Sequence, residues 1–125
     1  MTGEDFAAAI KRSVRDSAIQ DCRALLEKPP GRRPAQALVA QSDWYLSLSA
    51  HDQQRLVGVI QEAVDTALFG FFCVLDGVRP VEDGPIKGDF VLNYVKDTST
   101  PLNGPALPYL HDLFMELIAE DPTDL

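Results

Sequence analysis

The chain has 125 residues, 46 % of them apolar and 24 % charged, with a formal net charge of −8. That suits one domain, residues 1–125, able to form a cooperative core without metal or disulfide staples. The charge is lopsided: residues 1–62 balance eight Lys and Arg against eight Asp and Glu, whereas residues 63–125 set three (Arg79, Lys87 and Lys96) against eleven. Such a field repels nucleic-acid backbone and anionic membrane and attracts basic partners, so nucleic acid and membrane fall away as expected partners.

Lys11, Arg12 and Arg15 interrupt any apolar run near the start, so no signal peptide is expected. Two cysteines, Cys22 and Cys73, are too few for a disulfide framework. Both fall in apolar helical patterns, where a thiol packs as a small hydrophobe. A reducing cytoplasm is the natural setting, with a single Cys22–Cys73 bridge as the alternative.

The first predicted element is a helix from about Gly3 to Lys28. Phe6, Ile10, Val14, Ala18, Cys22 and Leu25/Leu26 recur at steps of three and four, an amphipathic stripe. Thr2 with Asp5 can cap its start, and Pro29-Pro30-Gly31 stops it. Pro34 then opens a short helix through Ala40. The stretch from Asp43 to Ser49 brings Trp44 and Tyr45 to the threshold of the next helix.

That helix, about Ala50 to Leu75, is the predicted centre of the fold, with Ser49 and Asp52 as its capping pair. Its second half, Ala67 to Leu75, is apolar on every side, which predicts burial all round. The run is shorter than the ~20 residues that cross a bilayer. Gly77 ends it through a left-handed cap, with Pro80 beyond.

Residues 78–103 read as β: a poor edge strand over Val78–Glu82, a turn at Asp83-Gly84-Pro85, the best strand at Asp89–Lys96, and a short third strand at Thr100–Leu102. A last helix is predicted over Ala106–Ala119, with Leu107, Leu110, Phe114, Leu117 and Ile118 on its buried side, followed by an acidic tail, Asp121–Leu125. The expected fold is mainly helical α+β: three to four helices around one apolar helix, with a small antiparallel sheet of two or three strands.

Catalytic signatures are missing. There is no Gly-x-Ser-x-Gly elbow, no Gly-x-Gly-x-x-Gly and no Walker-type loop, and the lysine between two glycines at 84–88 lies in a predicted hairpin rather than at a helix start. His51-Asp52 and His111-Asp112 sit near helix starts, where Asp is favoured; with only two histidines, a His-Asp phosphohydrolase ligand set cannot be completed. No metal and no cofactor are therefore expected. Asp65 stands just before the all-apolar half of the central helix and needs a partner if it is buried. Lys28, Arg32 and Arg33 flank a turn with little aromatic support for nucleic-acid binding.

Three segments taken together, Asp43–Ser49, Ala63–Val78 and Leu110–Phe114, resemble small uncharacterised bacterial proteins of the immunity-protein type, encoded beside secreted toxins. The resemblance covers about residues 40–118 and its motifs are structural. It implies a cytoplasmic bacterial protein that works by binding a toxin, and it transfers no functional residue.

The expectation is thus a non-catalytic protein-binding domain that occludes a basic toxin domain. Glu82, Asp83, Asp89, Asp97, Asp112 and Glu116 would steer association, and exposed aromatics, Trp44 or Tyr45, would anchor it. Two other readings stand beside it. One is a small enzyme or ligand- or metal-binding domain with His111, Asp112, Asp65 and Tyr94 at its site. The other is an oligomeric scaffold in which the central helix or a strand edge pairs with a second copy as a homodimer.

Overall fold

The computed structural model describes residues 1–120; the predicted acidic tail lies outside them. The chain runs α1 (Gly3–Ile10), a π-helical turn (Lys11–Asp16), α2 (Ser17–Glu27), α3 (Gln36–Ser47), α4 (Ala50–Leu75), β1 (Asn93–Val95), β2 (Ser99–Pro101) and α5 (Leu110–Ala119). This is the mainly helical α+β architecture that the periodicities predict, with α4 as the longest element.

Thr2 caps α1 through a reciprocal box. Its hydroxyl accepts from the Asp5 N–H at 3.1 Å, and its own N–H donates to Asp5 Oδ2 at 2.9 Å. The predicted single helix is continuous in course but not in register. The π turn inserts an extra residue, and the inward face steps from Ile10 to Arg15, five residues on. From this turn onward the predicted stripe shifts: Val14 and Cys22 are exposed while Arg15 is buried. Both cysteines are free thiols.

Pro34 precedes a helix, as expected, but α3 continues to Ser47 because nothing from Gln36 onward breaks it. Trp44 and Tyr45 therefore lie on a helix, and α3 packs mainly against α2. Ser49 caps α4 by accepting from the Asp52 N–H. At the other end Gly77, at φ 75°, closes a Schellman motif: the Val78 N–H bonds the Cys73 carbonyl and the Gly77 N–H bonds the Val74 carbonyl.

The core forms where α1, α4 and α5 meet. Phe72, Leu110 and Phe114 are fully enclosed, with Phe6, Ile10, Leu68 and Leu75 packed on them. Phe6 meets Phe72 edge-on at 6.1 Å between ring centroids, and Phe114 lies 5.2 Å from Phe72. Enclosing those three core side chains contributes roughly 5–9 kcal/mol before chain entropy is subtracted.

The apolar second half of α4 is a helix, but it is not sheathed on every side. Only 22 % of its most apolar 18-residue stretch is buried, and Phe71 stays 58 % exposed while its neighbour Phe72 is enclosed. By length and composition alone α4 could cross a bilayer. Within that stretch, however, lies Asp65, which is committed to an ion pair inside the fold. The neighbours of α4 cover mainly one side of it, because α1 and α5 both dock on the Phe72 face and the chain after Leu75 returns over the other side at Gly70, where Arg79 lies.

The β region is smaller than predicted. Residues 78–82 form no strand, and of the strand predicted over Asp89–Lys96 only Asn93–Val95 pairs, antiparallel to Ser99–Pro101, with Tyr94 opposite Thr100. One further bond, Leu102 N–H to the Leu92 carbonyl, extends the ribbon. The missing ladder is replaced by Asn103. This buried amide donates to the carbonyls of Leu75 (2.6 Å) and Phe90 (2.9 Å) and accepts from the Leu92 N–H (2.8 Å). It ties the end of α4 to the ribbon, so residues 88–92 need no partner strand. α5 begins four residues later than predicted. Pro108 disfavours helical geometry at Leu107, and the first free N–H groups of the helix are taken up by Asp76.

Candidate interaction surface

Two carboxylates on one side of α4 organise the interior. Asp65 receives Arg15 in a fork: Nε to Oδ1 at 2.8 Å and Nη2 to Oδ2 at 3.1 Å. Arg15 is only 2 % exposed, and its remaining arm reaches Asp16 at 3.0 Å, which also receives Lys11 at 3.2 Å. An arginine this deep requires such pairing, and a planar guanidinium suits a two-pronged match to carboxylate. The π turn is what aims Arg15 inward, and the Ser17 hydroxyl helps by donating to the Arg12 carbonyl five residues back.

Asp76, at the end of α4, reaches across to the start of α5. It accepts from the N–H groups of Leu110 (3.0 Å) and His111 (2.9 Å) and from His111 Nδ1 (2.6 Å). A carboxylate only accepts, so Nδ1 of His111 carries the proton. Nε2 lies 3.4 Å from Asp112, and the ring is stacked on Tyr109 and edge-on to Phe69. His111 is thus a built-in part of the α4–α5 joint. The other residues of the enzyme reading do not gather there: Asp65 is spent on Arg15, and Tyr94 sits in the β-ribbon opposite Thr100.

A groove of about 690 Å³ opens beside the Arg15–Asp65 pair, lined by Arg15, Arg23, Ile19, Val57 and Gln61 among others. The cations around it already have acidic neighbours: Arg15 has Asp65, Lys11 has Asp16, and Arg23 has Glu27 at 4.0 Å. No group of three His, Cys, Asp or Glu side chains able to hold a metal occurs among the described residues. Burial pushes the Cys73 thiol above its ordinary pKa, which keeps it protonated and unreactive.

No family model, curated protein or solved structure matches the chain.

The outward-facing residues divide into two ends. Trp44 is 52 % exposed, but Tyr45 is only 4 % exposed and is not available to a partner; its carbonyl receives Gln53, anchoring α3 to the first turns of α4. Glu82, Asp83, Asp89, Asp97, Asp112 and Glu116 are all exposed and all follow α4, whereas Trp44 lies on α3, which packs mainly on α2. None of the six meets a Lys or Arg in an ion pair among the described residues.

The loop after α4 carries what sequence reasoning missed. Val81, Ile86, Phe90 and Val91 point outward among Glu82, Asp83 and Asp89, with Ile86 90 % exposed. The loop is held in shape by the Gly88 N–H on Glu82 (2.6 Å) and by Lys87 on the Gly84 carbonyl. The only available signal was the low β quality of residues 78–88, with proline and glycine between apolar residues, which deprives those side chains of a sheet to pack on.

Proposed function

We propose that this chain is a non-catalytic protein-binding domain whose partner is basic, of the kind expected for a bacterial immunity protein that occludes a toxin domain. One observation carries the reading: the loop of residues 78–92 presents Ile86, Phe90 and Val91 to solvent among carboxylates that meet no Lys or Arg among the described residues. An ordered loop with exposed apolar anchors inside a one-signed charge field combines the two parts of a protein interface. The carboxylates raise the rate of encounter, and the apolar anchors slow dissociation. The resemblance to immunity proteins and the acidic C-terminal half support the same reading.

The test is binding between this chain and the product of the neighbouring gene, measured across a salt series. Binding should weaken as salt rises. Reversal of Asp83 and Asp89 to lysine should slow association, while Ile86→Ala with Phe90→Ala should speed dissociation. Lack of binding, or binding indifferent to salt, overturns the proposal.

A further inference from the structure

The side of α4 away from the core, covered at Gly70 by Arg79, carries a pattern of its own. Val59, Ala63, Ala67 and Phe71 are exposed at successive steps of four, and half-buried Leu56 and Val74 continue the stripe at its ends. At 100° per residue these six occupy roughly a third of the helix circumference, opposite the Phe72 face that packs into the core. The positions of the stripe are symmetric about position 65, with large apolar residues at the ends and alanines at the centre. Leu56 balances Val74, Val59 balances Phe71, and Ala63 balances Ala67.

We propose that the protein forms a two-fold symmetric dimer in which α4 of one copy lies antiparallel against α4 of a second. In an isologous contact, residue i meets j while j meets i, so apolar positions placed symmetrically about one point face each other across the pair. Val59 packs on Phe71 of the second copy and Leu56 on its Val74. The alanines meet at the centre, where small side chains let two helix axes approach to about 8 Å.

Charge fixes the register. The guanidinium of Arg79 folds back over Gly70, where any Cβ would collide with Nη1. In the antiparallel pair, Gly70 lies within two residues, roughly 3 Å along the axis, of Glu62 in the second copy, on the same flank. Neither Glu62 nor Arg79 has an ion-pair partner in its own chain among the described residues. The dimer therefore makes two Glu62–Arg79 pairs, one at each end of the contact. This inference uses other side chains than the binding proposed above and does not rest on it.

Sedimentation equilibrium on the full chain, from micromolar to near-millimolar concentration, tests it. The expected species has twice the 13.7 kDa chain mass. Ala67→Glu, a helix-compatible change at an exposed position, should weaken the dimer at least about 30-fold, with far-ultraviolet circular dichroism unchanged. Glu62→Arg and Arg79→Glu should each weaken it about five-fold, and the two together should restore it. A wild-type chain that stays at 13.7 kDa throughout overturns the dimer. So does Ala67→Glu associating like wild type. A combined swap no better than either single change overturns this register.

Discussion

Asp65 and Asp76 lie eleven residues apart on α4, three turns along and about 20° around, so both project from one side of the same helix. Each docks a different part of the chain there. Asp65 holds the N-terminal helices through a guanidinium, and Asp76 holds α5 through two backbone N–H groups and an imidazole. The chemistry of the two joints differs. At Asp65 a full positive charge has been taken out of water, and only the paired geometry offsets that cost. At Asp76 the donors are N–H groups that every helix start leaves unsatisfied, so the carboxylate repairs a deficit that would exist anyway. Loss of either should destabilise the protein, but unequally and for separable reasons.

The largest effect is expected at the first joint. Asp65→Asn leaves Arg15 buried without its counter-charge and should reduce unfolding stability by about 3–5 kcal/mol, read from the urea midpoint. Replacing both partners by apolar residues, Arg15→Met with Asp65→Leu, should recover most of that loss, because the strain lies in the orphaned charge rather than in the lost attraction. A cost below about 1 kcal/mol for Asp65→Asn would mean that the pair does not hold the π turn in place.

Asp76→Ala should cost less, about 2 kcal/mol, the upper end for a helix cap. Its signature is local as well as global. Amide exchange at Leu110 and His111 should accelerate ahead of the core of α4, since those two N–H groups lose their acceptor. Asp76→Asn, which keeps one acceptor oxygen, should fall between wild type and alanine. Equal losses at Asp65 and Asp76 would erase the distinction between orphaned charge and lost cap.

This contrast also explains how much the sequence revealed. The caps of α1 and α4, the Gly77 stop, the core residues Phe6, Leu110 and Phe114, and the helical nature of residues 50–75 were all legible, because each rests on neighbours within four or five residues. The partners of Asp65 and Asp76 were not. Arg15 is fifty residues from Asp65, and a uniform helical period placed Val14 on the inward face instead. Asp76 reads as part of a helix stop, and nothing local says that it caps a helix starting 34 residues later. Asn103 was hidden in the same way, since its three partners lie at 75, 90 and 92. The exposed apolar stripe of α4 was misread as core because composition reports how greasy a helix is, not how many neighbours the topology supplies to cover it.

A third carboxylate supplies the control. Asp5 also binds helix-start donors, but it is solvent-exposed and its partner Thr2 is three residues away. Hydrogen bonds from the Thr2 backbone and hydroxyl favour its charged form and hold its pKa below the ordinary carboxylate value. A depressed folded-state pKa adds stability that is fully present above the unfolded value and lost as pH falls through the folded one. Thr2→Ala removes the hydroxyl while leaving the backbone N–H, so an NMR titration should show Asp5 moving part of the way back toward its ordinary range. Stability should change least of the three joints, with the loss present above the unfolded pKa value and fading as pH falls through the folded one. Because this box orders one exposed turn and joins no two elements, its loss should leave exchange at Leu110 and the environment of Arg15 untouched. If Thr2→Ala disturbed either, the joints at Asp65 and Asp76 would be coupled through α1 rather than acting as separate clamps on one face of α4.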